Sequence, residues 1–136
     1  MDIEDALRLR LIEADPVAEM LADYETSKAV FWVLRPQGSA MPAIVLTTVS
    51  APMDEHMRGL QSLQFMRLQL DTYAPSVIVA QQLRDKAIAT MVPRYRDQGF
   101  YFRPASVLGR RDLSEPGVNG PIYRTSTDIR VRYSPA

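Results

Sequence analysis

The stretch that decides the fold runs from Arg110 to Tyr133 and reads RRDLSEPGVNGPIYRTSTDIRVRY. Its first half is polar and rich in turn residues, and its second half alternates. One face of the second half carries Tyr123, Thr125, Thr127, Ile129, Val131 and Tyr133. The other face carries Arg124, Ser126, Asp128, Arg130 and Arg132. Because side chains of a strand point alternately to the two faces of a sheet, the pattern predicts a long strand with one face on a core and the other lined by charge.

A second alternating segment, Leu63–Tyr73, has the same two-faced character. Its apolar positions are Met66, Leu68 and Leu70, and the positions between them are Arg67, Gln69 and Asp71. We therefore expect two strands of one sheet, each with a polar outer face. Residues 105–111 predict a short strand, and residues 112–120 predict a mobile loop that precedes the final strand.

Two more strands are predicted near the N-terminus. Lys28–Arg35 is apolar enough to be buried on most of both sides, and Ala43–Ser50 is rich in β-branched residues. The loop at residues 36–42 contains two prolines and a glycine, so we expect the two strands to pair antiparallel. Ala51–Gln61 has no period and holds Pro52 and Gly59, which predicts a second mobile loop.

Helices are predicted at residues 2–14 and from Pro75 to Met91, with a further short turn at residues 17–22. The first has an apolar stripe and ends before Pro16, because the residue before proline avoids the helical region. The second is expected to turn Val77, Ala80, Leu83, Ala87 and Met91 inward. The 136 residues then form one α+β domain, a two-layer sandwich of a mainly antiparallel sheet with two helices on one face.

Composition excludes several classes of protein. There is no cysteine and only one histidine, His56, which excludes disulfides, thiolate metal sites and a histidine zinc site. No apolar run approaches the roughly 18–20 residues of a membrane span, and the acidic N-terminus is unlike a targeting peptide. We expect a protein made in a cytoplasm, with no cofactor, no metal and no membrane partner.

Charge is divided along the chain although the total is zero. Residues 1–27 hold eight acids and two bases, a balance of −6, and the remainder holds eight acids and 14 bases, a balance of +6. Such halves match each other across copies in a head-to-tail ring or pair within one chain. Arginine supplies 14 of the 16 basic residues, and its planar fork suits carboxylates at interfaces, although base composition of a genome also favours it.

Signatures of enzymes are missing from the sequence. It holds neither a phosphate-binding glycine loop nor a nucleophile elbow. A hydrolase using His56 is the least favoured hypothesis, because that residue lies in an irregular segment. The arginines and aromatic residues at positions 94–103 leave a nucleic-acid-binding module as an alternative, against the simpler view that these rings close one end of the core.

The order of these segments resembles the tail completion family of long-tailed phages, prophages and gene transfer agents, which includes tail terminator and head-to-tail joining proteins. The resemblance covers nearly the whole chain, apart from a departure at residues 94–103. Its motifs are a first helix ending at Asp15-Pro16-Val17, a Pro-Gln-Gly loop leading to residues 41–45, a strand at residues 67–74 that runs directly into a helix, and the segments 110–113, 122–124 and 128–133.

The resemblance implies a non-enzymatic virion protein, assembled in the bacterial host cytoplasm, that forms a ring and is expected to be a hexamer. The ring caps the head-proximal end of the tail tube and contacts the tube protein and the connector or stopper protein of the head. DNA passes through its centre without sequence-specific binding. The residues expected at protein interfaces are Asp54, Glu55, Met57, Arg67, Asp71, Arg110, Arg111, Asp112, Arg124, Asp128, Arg130 and Arg132.

Overall fold

The computed structural model describes residues 2–50, 63–97, 99–117 and 120–135. Three helices and nine strands occur in these ranges. In chain order they are α1 (Ile3–Glu13), α2 (Asp15–Ala18), β1 (Asp23–Tyr24), β2 (Ser27–Lys28), β3 (Val30–Trp32), β4 (Ala43–Ser50), β5 (Gln64–Ala74), α3 (Val77–Met91), β6 (Tyr95–Asp97), β7 (Phe100–Phe102), β8 (Ser106–Gly117) and β9 (Gly120–Pro135).

The long final strand β9 is the centre of a seven-stranded sheet. It pairs antiparallel with β5 along one edge, from Ala74 opposite Tyr123 to Gln64 opposite Tyr133. Its other edge is shared by β8 and the short β7. The remaining strands extend the sheet outward in the order β3-β4-β5-β9-β7-β6. The alternation seen in the sequence of β9 therefore places its two rows of side chains on the two faces of this sheet.

The helices cover one face and form the core with it. The two longer helices, α1 and α3, each begin at a capping side chain: Asp2 accepts from the Asp5 amide at 2.8 Å, and Ser76 accepts from the Val79 amide at 3.2 Å. The buried core lies between α1, α3 and the sheet, and its largest members include Leu7, Leu11, Leu46, Leu68, Leu70, Leu83, Met91 and Ile129. The predicted α+β sandwich with a mostly antiparallel sheet is confirmed, with the short α2 as a third helix.

The predicted antiparallel pairing of the two N-terminal strands is wrong. β3 and β4 are parallel, with Val30 opposite Ile44. Val33 has φ of 71°, which bends the chain out of the strand, so residues 33–42 return to the starting end of β3 instead of forming a hairpin. The expected burial also fails there, because Val33 and Leu34 are 63% and 77% exposed.

The predicted loop at residues 112–120 is also wrong over its described part. Residues 112–117 continue β8 and pair with residues 120–125 of β9. The sequence shows no apolar alternation there because no layer covers this hairpin, and the backbone ladder alone defines it. Pro116 is tolerated because β8 is an edge strand. We call residues 110–117 with residues 120–124 the arm.

Two smaller corrections concern α3 and the segment after it. The helix begins at Val77, not at Pro75, because the Ser76 hydroxyl caps it, and Val77 is exposed although it was expected to face inward. Residues 95–97 and 100–102 form the antiparallel pair β6–β7, which extends the sheet beyond β9. Residues 51–61, predicted as a loop, lie outside the described residues.

Candidate interaction surfaces

The sheet has one face covered by helices and one face free of them, and β5 and β9 show both. On the covered face the Thr72 hydroxyl donates to the Ala80 carbonyl of α3 at 2.9 Å and contacts the Thr125 hydroxyl. On the open face lie, in register, Tyr73 with Arg124, Asp71 with Ser126, Gln69 with Asp128, and Arg67 with Arg130. The two polar rows predicted from the sequence are therefore neighbours on a single surface.

Asp71 and Arg124 form a largely buried ion pair in the half of the open face that adjoins the arm. Arg124 Nη2 lies 2.7 Å from Asp71 Oδ2, and the Asp71 side chain is only 3% exposed. The Gln69 amide donates to both carboxylate oxygens, at 3.2 and 3.0 Å. Burial opposes the charge on Arg124, but the hydrogen bond and charge of Asp71 outweigh it and raise the pKa of Arg124. The pair is thus internal, and Asp71 is not available as a contact residue.

Tyr73 lies between two guanidinium groups beside this pair. Arg124 lies 5.5 Å and Arg35 5.3 Å from the centre of its ring. Burial raises the pKa of Tyr73, although the charge of Arg124 opposes that rise. Because Arg35 comes from the connection after β3, this contact fixes part of that connection over the end of the open face.

The other half of the open face is rich in arginine. Arg67 and Asp128 form an exposed ion pair at 3.0 Å. Arg130 lies 4.9 Å from the ring centre of Phe65, and the side chain of Arg132 donates to the Pro104 carbonyl at 3.3 Å. These three arginines have polar or ring contacts but remain at least partly exposed. An exposed ion pair contributes little free energy, so the contacts leave the guanidinium groups available to other partners.

The arm is exposed along nearly its whole length. Within the described ranges β8 pairs with β9 alone, so its second backbone edge is unpaired. Arg110 faces α3, where it lies 4.0 Å from Asp85, and Asp112 lies 3.4 Å from Arg84. Arg111 faces the opposite way, in register with Ser126. A shallow groove of about 220 Å³ separates the arm from α3 and includes Val77, Gln81, Leu113 and Tyr123 in its lining.

The aromatic stretch at residues 94–103 divides between core and surface. Phe102 is buried, and Tyr95 and Phe100 pack against the core. The buried Arg10 lies 4.5 Å from the ring centre of Tyr95, and its Nη2 donates at 2.7 Å to each of the Thr90 and Pro93 carbonyls. Burial lowers the pKa of Arg10 to about 10, so it stays charged at neutral pH beside the end of α3. Only Tyr101 of these aromatic residues is exposed, at 40%.

The structure thus brings together most of the predicted interface residues. The open face joins Arg67, Asp128, Arg130 and Arg132, and the arm carries Arg110, Arg111 and Asp112. Asp71 is buried within that face, and the half-buried Arg124 of the arm pairs with it. Asp54, Glu55, Met57 and also His56 lie outside the described residues. Sequence reasoning missed the exposed Val33 and Leu34, since an apolar run by itself predicts burial. It also missed the place of Arg103 beside Tyr101.

Metal and membrane features are absent from the part of the chain that is described. No group of three or more carboxylate or imidazole side chains there is placed to hold a metal ion. No helix within those ranges is long and apolar enough to cross a membrane.

Comparison with known proteins identifies no family. Neither a protein family model nor a curated protein matches the chain. Several solved structures match; one of them matches over 99% of this chain and 97% of its own length, at 12% identity and a TM-score of 0.49. A likeness of that size supports no conclusion about family or function.

Proposed function

We propose that this chain is a structural subunit of a phage-type tail. Its copies form a ring that closes the head-proximal end of the tail tube and joins the tube to the head connector. The family resemblance implies six subunits in the ring. The resemblance of its sequence motifs to tail completion proteins supplies this class. The structure contributes an independent argument, which is that the molecule has surfaces suited to association with itself.

The observation that carries the proposal is the free edge of β8 along the arm. A long strand with unpaired amides and carbonyls is a template for pairing with another chain, and monomeric proteins usually shorten or cover such edges. Here the strand has 12 residues and exposes Val107, Leu108 and Leu113. This is the edge expected of a subunit whose arm lies against a neighbour.

The opposite edge of the sheet offers a second contact. β3 is the terminal strand on that side, and the exposed Val33 and Leu34 follow it directly. A contact between two different edges of like subunits is head-to-tail, and head-to-tail contacts close into rings when the rotation permits. Val33 holds a left-handed backbone conformation that β-branched residues rarely adopt, and such conformations concentrate at functional positions.

Deletion of the gene in its host, followed by electron microscopy of the particles, tests the role in the virion. We expect filled heads separated from tails, and tails of uncontrolled length, with normal particles restored by the wild-type gene. Normal particles from the deletion strain would refute the proposal.

Native mass spectrometry of the purified protein tests the ring contact. We expect an oligomer for the wild-type chain and monomers for Leu113→Lys on the arm. Val49→Lys is the matched control, because Val49 is an apolar residue of similar exposure, 48% against 38%, on another strand. Equal loss of the oligomer in both variants would show that the arm has no special part.

A salt series tests the contribution of charge to the same association. The −6 and +6 segments and the charged rows on the open face and the arm predict weaker association as salt rises. Each exposed ion pair contributes only about 0–1 kcal/mol, but a ring repeats it at every interface. Sedimentation velocity in low and high salt measures the effect, and association that strengthens with salt would instead indicate apolar contacts.

A further inference from the structure

We propose that one half of the open sheet face binds the phosphate backbone of double-stranded DNA. The surface, which we call the arginine patch, contains two aromatic rings and six arginines: Phe65, Tyr101, Arg67, Arg94, Arg96, Arg103, Arg130 and Arg132. The inference rests on the proposed function, because the proposed ring is what would hold this face against DNA.

The arginine patch is continuous across four strands. Arg67 lies in register with Arg130, and Phe65 with Arg132. Ser134, two residues along the same face, lies in register with Tyr101. Arg96 in turn stacks on Tyr101, with its guanidinium carbon 4.7 Å from the ring centre.

A groove completes the patch at the β7 end. It has a volume of about 350 Å³ and is lined by Arg94, Tyr101, Arg103 and Pro104, with Phe102 and Ser134. The Arg132 side chain donates to the Pro104 carbonyl, which joins this groove to the row on β9. The six arginines therefore form one surface and not two clusters.

Charge on this surface is strongly one-sided. Among the described residues of this half of the face, Asp128 is the one carboxylate, and it is paired with Arg67. The exposed acids of the first two helices, namely Asp5, Glu13 and Asp15, belong to the helical layer on the other side of the sheet. Because the whole chain is neutral, attraction of a polyanion depends on this local surface and not on net charge.

The form of the patch favours a phosphate backbone over an acidic protein surface. Adjacent strands lie about 4.8 Å apart, so four strands span roughly 14 Å. Duplex DNA carries about one charge per 1.7 Å of its axis, which places on the order of eight phosphates within that span. Guanidinium groups bind phosphate oxygens in pairs, and exposed arginines make contacts that are weak, independent of sequence and compatible with sliding.

The ring supplies the direction. If neighbouring subunits meet through the two edges of the sheet and the strands run along the axis of the ring, one of the two faces of the sheet points toward that axis. The helix-covered face is acidic and the open face carries the arginine patch, so the open face is the one that DNA attracts.

Fluorescence anisotropy with a labelled 20-base-pair duplex tests the inference. The test variant is Arg103→Gln with Arg130→Gln, and the control is Lys28→Gln with Lys86→Gln, which removes the same charge outside the patch. We expect the wild type to lose affinity steeply with salt, and the test variant to bind more weakly with a slope of log K against log salt shallower by about 2. The control should retain the wild-type affinity and slope.

Each other outcome decides between the two proposals. No binding by the wild type at 50 mM salt, or equal loss in test and control variants, overturns the arginine patch while an observed ring upholds the proposed function. Binding by a protein that stays monomeric upholds the patch and removes the ring. If the test variant breaks the oligomer and the wild type does not bind DNA, the patch is overturned as a DNA site and is instead a contact with the acidic layer of another copy.

Discussion

The middle of β9 and its first residues belong to one strand but differ in what packs on them. Residues 125–131 lie between β5 and β8 with helices beneath them, and five of the seven are buried there, namely Thr125, Ser126, Thr127, Ile129 and Val131. Residues 120–124 belong to the arm: all five pair with the exposed β8, and only the last two also pair with the end of β5. The comparison separates two uses of one strand, since the buried part stabilises the subunit and the arm is free to associate.

The largest expected effect contrasts a core leucine with an arm leucine. Leu70 is fully buried beneath α3, so Leu70→Ala should lower the free energy of unfolding by about 2–5 kcal/mol. Leu113→Ala on the arm should change it by less than about 0.5 kcal/mol, as surface substitutions usually do. Urea denaturation followed by circular dichroism measures both. A Leu113→Ala variant that is destabilised as much as Leu70→Ala would show that the arm is part of the core unit.

The second prediction contrasts two ion pairs of the open face. Asp71→Asn leaves Arg124 without its buried carboxylate, and we expect a loss of about 1.5–3 kcal/mol, the range for hydrogen bonds to charged groups. Asp128→Asn breaks the exposed pair with Arg67 and should cost about 0–1 kcal/mol. The same denaturation experiment compares them at neutral pH.

A double-mutant cycle sharpens this comparison. The coupling energy of Asp71→Asn with Arg124→Met should exceed that of Asp128→Asn with Arg67→Met. Equal coupling energies would contradict the distinction between an internal and an external pair.

A strand of this fold could be predicted from the sequence where its pattern of side chains reflects burial, and not where the strand is defined by backbone pairing alone. The strands β5 and β9 were predicted correctly because alternation in Met66–Leu70 and Thr125–Val131 reflects one buried face. The arm was missed because alternation needs a covered face, and none covers residues 112–117. The parallel pairing of β3 was missed because it depends on the backbone of Val33, which nothing in an apolar run indicates.

The candidate surfaces were predictable in the same partial way. Each charged row was predicted on the outer face of its own strand, and the pairing of β5 with β9 then makes the two rows neighbours. The burial of Asp71 was not predictable, because it depends on Gln69 and Arg124 surrounding the carboxylate. The exposure of Tyr101, in contrast to its aromatic neighbours, was not predictable either, because the sequence does not show where the β6–β7 hairpin leaves the core.

A smaller effect is expected in alkali. Burial raises the pKa of both Tyr73 and Tyr133 above the usual 10.0, so folding favours their protonated forms. The resulting stability is present below pH 10 and is lost as pH rises above 10 through the folded-state values. Unfolding measured between pH 9 and 11.5 should therefore show a decline, and Tyr73→Phe with Tyr133→Phe should reduce it. An unchanged decline in the double variant would assign the pH dependence to other groups.

The smallest expected effect concerns His56, the residue on which a hydrolytic activity would depend. The non-enzymatic proposal predicts that His56→Ala leaves the yield of infectious or transducing particles unchanged, because assembly depends on surfaces and not on proton transfer. Particle titre from a strain that carries the variant gene measures this, and circular dichroism confirms that the variant is folded. The matched comparison is Leu113→Lys, which retains His56 and should reduce the titre by removing the arm contact. A folded His56→Ala protein that abolishes particles, beside a Leu113→Lys protein that does not, would contradict the non-enzymatic proposal. Function would then depend on a single imidazole and not on the arm contact.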